Sequence, residues 1–152
     1  FGARAERGQN LIELAMLAPF VIMFIAIIVV IGLALNTRSS LQQAVREGAR
    51  QASVGATLSA VQDLAAGNAP DALASADVLV CHPVGTSGTK GQVGDPVRVY
   101  IHKGGAEGYP YTLVSVGGIF SALGAPSLTV RMSPRATARL ERSVGSPVDC
   151  PP

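Results

Sequence analysis

Three kinds of side chain in this sequence could do chemistry: one carboxylate at the start of an apolar run, two cysteines and two histidines. The carboxylate is Glu13, which opens residues 14–35, a stretch without a single charged side chain. A carboxylate at the edge of hydrocarbon is costly to bury alone, so the chemistry expected of it is pairing rather than proton transfer. Either it sits solvated in the headgroup zone, or it pairs with a cation on another subunit when helices bundle. Cys81 and Cys150 fit no metal-binding spacing. Two unrelated buried thiols are one option. The other, which we expect, is a disulfide tying the C-terminal tail to the middle of the domain, and it implies an extracytoplasmic location. Closing a loop of about seventy residues stabilises a domain by roughly 4 kcal/mol in the chain-entropy picture.

The histidines, His82 and His102, form no catalytic spacing; there is no HExxH and no CxxC. His82, beside Cys81, reads as a strand-end residue, and His102 as a solvent-exposed residue on the polar face of a strand. Residues 85–94 are Gly-rich but lack the Gly-Lys-Ser/Thr ending of a phosphate loop, and Lys90-Gly91 reverses that order. No catalytic residues, metal or cofactor are expected, and the chain is not expected to be an enzyme.

Bulk properties agree. Of 152 residues, 48% are hydrophobic and only 14% charged, low for a soluble protein. Residues 14–35 account for most of that skew, so the remainder can be a water-soluble domain. The net charge is +2 with basic residues scattered along the chain, which argues against nucleic-acid binding. With 17 Gly, 10 Pro and no Trp, the domain should be loop-rich with a modest core.

Next come the elements that must position these residues. Residues 14–35 as a helix span roughly 33 Å, enough to cross a bilayer. The run is too long for the core of a secretory signal peptide, and no small-residue cleavage site closes it, so we expect the helix to be retained. Since the first residue is Phe1, something upstream is expected to be missing or already removed. Arg4 and Arg7 before the run favour a cytoplasmic N-terminus, although Arg38 and Arg46 follow it. Pro19 predicts a kink. Beyond Asn36 the helical period continues through Leu41, Val45, Gly48 and Ala52, a narrow small-and-apolar stripe suited to close packing. One helix is therefore predicted from about Gly8 to Ser53, ended near Gly55. A short helix capped by Thr57 and closed by Gly67-Asn68 follows, then one more turn opened by Pro70.

From Val78 the pattern is that of strands. These are 78–81; 96–102, with Val97, Val99 and Ile101 on one face and Arg98, Tyr100 and His102 on the other; and a final extended segment, 128–141. Pro134 in that segment marks an edge or a bulge. Residues 104–108 read as a loop, and 111–120 as strand or short helix. The fold class expected is α+β, a long N-terminal helix against a small antiparallel sheet. Its divisions are a leader-like basic segment at 1–8, the helix at 9–55 with 14–35 as membrane span or filament core, and an extracytoplasmic domain at 56–152.

Gly8-Gln9 with Glu13 at the fifth position, ahead of an apolar helix, resembles the processing site of type IV prepilins. More closely, Arg7 to Ala15, Pro19, and the segment Ala44-Val45-Arg46-Glu47-Gly48-Ala49-Arg50-Gln51-Ala52 resemble the TadE-like proteins of tight-adherence (Flp-type) pili. The run 128–141 is similar to that family's closing strand, whereas 56–127 carries little resemblance. The resemblance implies a prepilin peptidase that cuts after Gly8, leaving Gln9 first, and a Glu13 that pairs with the new N-terminal amine of a neighbour. Taking Phe1 as the mature start instead puts Ala5 at the fifth position, and Glu13 would then pair with Arg4 or Arg7 of a neighbouring subunit. It further implies a type IV pilin-like subunit of a bacterial adhesion filament. Such a subunit is held in the cytoplasmic membrane before assembly and at the cell surface afterwards, with pilus assembly machinery and further copies of itself as partners. TadE-like proteins are accessory to a much shorter major pilin, so three roles follow: main subunit, minor priming or tip subunit, or anchored domain that never polymerises.

Overall fold

The computed structural model describes residues 3–69, 73–112 and 129–151, with side chains described from Ile12 onward. Helix α1 runs from Ala3 to Ser53 without interruption, with Pro19 inside it. Its 51 residues make a rod of roughly 77 Å. Gly55, at φ +82°, ends it with a backbone bond from its N–H to the Ala52 carbonyl. Only glycine adopts that left-handed conformation without strain. Helix α2 (Leu58–Gly67) doubles back, its first turn capped by the Thr57 hydroxyl accepting from the Ala60 N–H and its last by Asn68.

After a 3-10 turn at Ser75–Asp77 come β1 (Val78–Cys81), β2 (Pro96–Lys103), β3 (Ala106–Glu107), β4 (Tyr109–Thr112), β5 (Thr129–Met132) and β6 (Arg135–Arg139). Strand β2 is the hub. It pairs antiparallel with β1, with β3 and with β6, while β4 and β5 form a separate two-stranded ladder. Among the described residues every ladder is antiparallel, and the fold is α+β.

The core forms where the stripe on α1 meets this sheet. Leu41, Ala44, Val45, Ala49 and Ala52 are buried, as are Val97, Val99 and Ile101 of β2 and Val61 and Ala65 of α2. Gly48 is the notch that lets three elements converge. A Cβ there would meet Ala65 Cβ at 3.3 Å, Val99 Cγ1 at 3.4 Å and Val61 Cγ1 at 3.6 Å. The Glu141 N–H donates to the Ser53 carbonyl, joining the end of β6 to the end of α1.

Three local features refine or correct the sequence expectation. Residues 104–108 are not simply a loop: Gly104 and Gly105, both at positive φ, make a two-residue turn that returns the chain as β3. Two consecutive left-handed residues are what a tight hairpin needs, and Gly-Gly supplies them. Tyr100, placed by alternation on the polar face, is only 6% exposed, and His102 is half-buried. Pro134 lies buried in the link between β5 and β6, each of which pairs with one strand only among the described residues; the proline thus flanks edge strands rather than bulging one, at a position that needs no N–H. The turn expected at Pro70 and most of the ambiguous 111–120 segment lie outside the described residues, except that Tyr111 and Thr112 belong to β4.

The loop before β2 is organised by Asp95, buried to 5% exposure, whose Oδ2 accepts from the Thr89 hydroxyl at 2.9 Å and the Gln92 N–H at 3.0 Å. The tail is held by the Cys81–Cys150 disulfide. Beside it His82 donates its backbone N–H to the Val148 carbonyl and accepts the Val148 N–H at Nδ1, 2.7 and 3.0 Å respectively.

Two outcomes follow for the full chain in micelles. Gly48→Leu overfills the notch and should cost about 1–3 kcal/mol, read as a lower thermal midpoint by circular dichroism. Cys150→Ser should destabilise by up to roughly 4 kcal/mol, and the wild type should lose as much on reduction. A midpoint insensitive to reductant would contradict the second.

Candidate functional site

The first half of α1 meets nothing in the described molecule. From Ile12 to Leu35 its large apolar side chains, apart from a half-buried Val30, are exposed, Met16 at 71% and Phe20 at 66%, and its most apolar eighteen-residue window, of mean hydropathy 3.1, has no buried share. Such surface does not persist in water. A single helix satisfies its own backbone polar groups, so hydrocarbon or other apolar helices are the environments that suit it.

The globular part begins where the apolar run stops. Ala34, Leu35 and Arg38 of α1 line a groove with Val130, Met132 and Pro134 of the sheet domain. At this boundary Thr37 donates its hydroxyl to the Leu33 carbonyl and Ser40 to that of Asn36, both at 3.1 Å, so their polar groups are satisfied within the helix. Beyond it Arg38, Arg46 and Arg50 face solvent.

The residues singled out in the sequence fall along this rod. Glu13 is exposed, one residue past Ile12 at the start of the bare surface. Gly8 and Gln9 lie inside the helical backbone, as do Arg4 and Arg7, whose side chains are outside the described residues. Among the described residues no cation is paired with Glu13. Cys81 and Cys150 are brought together, with Cα atoms 4.9 Å apart.

His82 accepts at Nδ1, so its hydrogen is on Nε2, and the adjacent sulfur is already in the disulfide. Among the described residues no three His, Cys, Asp or Glu side chains gather as a metal site.

A second surface escaped the sequence reading, which took the basic residues as scattered. Arg98 of β2 is directly opposite Thr137 of β6, and Arg135 and Arg139 flank Thr137 on the same strand. By strand alternation all three guanidinium groups lie on the sheet face turned away from α1, because Val97, Val99 and Ile101 fill the other. The signal was present in the alternation of 96–102, but the register that adds Arg135 and Arg139 is not local. Tyr100, opposite Arg135, is held above its ordinary pKa by burial and by the Glu107 charge, so it stays a neutral phenol on this face.

The bare segment makes a direct prediction. Phe24→Lys places an ammonium near its centre and should make membrane insertion less favourable by about 3 kcal/mol, read as release into the soluble fraction on alkaline extraction.

No curated protein and no solved structure matches the chain. A family model described as "TadE-like protein" matches residues 8–50. That interval takes in Gly8, Glu13, the bare apolar surface and the Gly48 notch, and it ends short of the 128–141 run that the sequence resemblance included. Over residues 8–50, the helix on which the whole domain is mounted, the chain is similar to the TadE-like family.

Proposed function

We propose that this chain is a structural, non-catalytic subunit of a Tad-type pilus that polymerises through the bare half of α1 into an adhesive surface filament. The observation that carries the reading is the abrupt division of one helix. Its first half is apolar and uncovered, and its second half is packed under a disulfide-bonded domain. A membrane holds the first half before assembly, and neighbouring helices hold it afterwards. At roughly 25 cal/mol per Å² even partial burial of that surface amounts to tens of kcal/mol per subunit, an upper bound that leaves out the cost of association.

In this reading a prepilin peptidase acts at Gly8-Gln9, and Glu13 sets register rather than strength, because a misaligned helix leaves its charge unmatched in an apolar bundle. The partner cation is the amine of a neighbour's Gln9 after cleavage, or Arg4 or Arg7 of a neighbour where the leader is kept. A second reading, a minor subunit that primes or tips a filament made of a shorter pilin, is favoured by the TadE-like match itself.

Intact-mass spectrometry of filaments sheared from native cells separates the two. The chain should dominate the sheared fraction, with a mass that begins at Gln9 if Gly8 is the cleavage site. A trace quantity supports the minor subunit, and retention with the membranes removes both filament roles. Glu13→Ala should leave the protein membrane-bound but abolish or misalign assembly, and normal filaments from that variant would refute the register role.

A further inference from the structure

We propose that the arginine face of the sheet is a binding site for a linear anionic saccharide that carries carboxylates. The inference takes the domain to face the cell exterior but does not depend on polymerisation.

The first support is spacing. Arg135 and Arg139 are four residues apart on one extended strand, and Arg98 sits across from the residue midway between them. At about 3.3 Å per residue the three charges advance along the strand in steps of roughly 6–7 Å. A chain molecule with one negative group per sugar, laid along β6, meets a guanidinium at a comparable interval.

The second is the absence of competition. None of the three arginines is in an ion pair among the described residues, where the salt bridges are Lys90–Asp149 and Lys103–Asp77. Among the described residues Arg139 reaches only the Gly94 carbonyl, at 3.4 Å, and Arg98 Nε is buried with no acceptor. A guanidinium already stripped of part of its hydration has less to lose when an oxyanion docks, and it offers planar, forked geometry to a carboxylate.

The third is the groove beside them. About 310 Å³ of open space is lined by Val84, Thr86, Pro96, Thr137 and Arg139, among others. Val84 and Pro96 supply an apolar wall for a sugar ring. Thr86 and Thr137, both exposed, carry hydroxyls that make no hydrogen bond among the described residues and can meet a polyol. Single-stranded nucleic acid fits the charges less well, since stacking needs exposed aromatic rings and the ring on this face, Tyr100, is buried.

The test uses the full chain in nonionic micelles with labelled polygalacturonate oligomers, and neutral dextran and oligothymidylate as comparisons. Polygalacturonate should bind at low salt and dextran should not. The pair R135Q/R139Q should weaken binding roughly tenfold or more and lower the log–log salt slope by about two. R46Q/R50Q, which removes the same charge from α1, should leave both unchanged. An unaltered thermal midpoint shows that the exposed substitutions spare the fold. Four results overturn the proposal: no binding of polygalacturonate, equal loss in both pairs, oligothymidylate binding as tightly through the same arginines, or apparent binding that tracks self-association. A monomer that binds but never polymerises would sink the filament reading and leave this one standing.

Discussion

The contact on which the molecule depends is the seating of α1's small-residue stripe against β2 and α2. A helix this long has no reason to stay attached to a small sheet except through the side chains it can bring close, and small ones bring backbones closest. Gly48 is the extreme case, with α2 on one side and β2 on the other at van der Waals distance. Enlarge that position and α2, β2 and α1 cannot all keep their places. Leu41 and Val45 extend the same face towards the bare segment of the helix, and Ala52 extends it towards the helix's C-terminal end.

From this seating the remaining constraints follow. The inward residues of β2 are set by the stripe, so its outward residues are set too, and β6 inherits their register through five paired positions. The domain is small and its described core is built chiefly of Val, Leu, Ile and Ala. A covalent link between the end of β1 and the penultimate stretch of the chain therefore limits how much the unfolded state gains in entropy. The polar network around Asp95 performs a similar task at short range, turning a Gly-rich loop into a defined entry to β2.

How much of this could be read from residues alone depended on how local the cause was. The long helix and its stripe, the Thr57 and Asn68 caps and the strand at 96–102 all arise from spacing or capping within a few residues; the helix ends at Ser53 as the sequence has it but begins at Ala3 rather than near Gly8. The hairpin at Gly104-Gly105 was misread as a loop because glycine pairs signal flexibility and tight turns alike; pairing with β2 decides between them. Tyr100 is on the face that alternation assigns it, but its burial was not legible, because alternation gives a face and not its cover. The arginine face was invisible for a stricter reason: Arg98 and Arg139 are joined only by strand pairing between distant segments. Glu13 was legible as a carboxylate at the edge of an apolar run, and a partner on another subunit is not something one chain can display.

The same seating sets how the molecule carries load. The stripe from Leu41 to Ala52 runs lengthwise along α1, so a pull on the domain directed along the rod loads its interlocked side chains in shear, many at once. A pull across the rod would peel them in sequence. The disulfide keeps the chain terminus out of that peeling path, since force entering at the tail crosses to β1 at Cys81, one strand from the hub. The seam is therefore strong along one axis and weak across it.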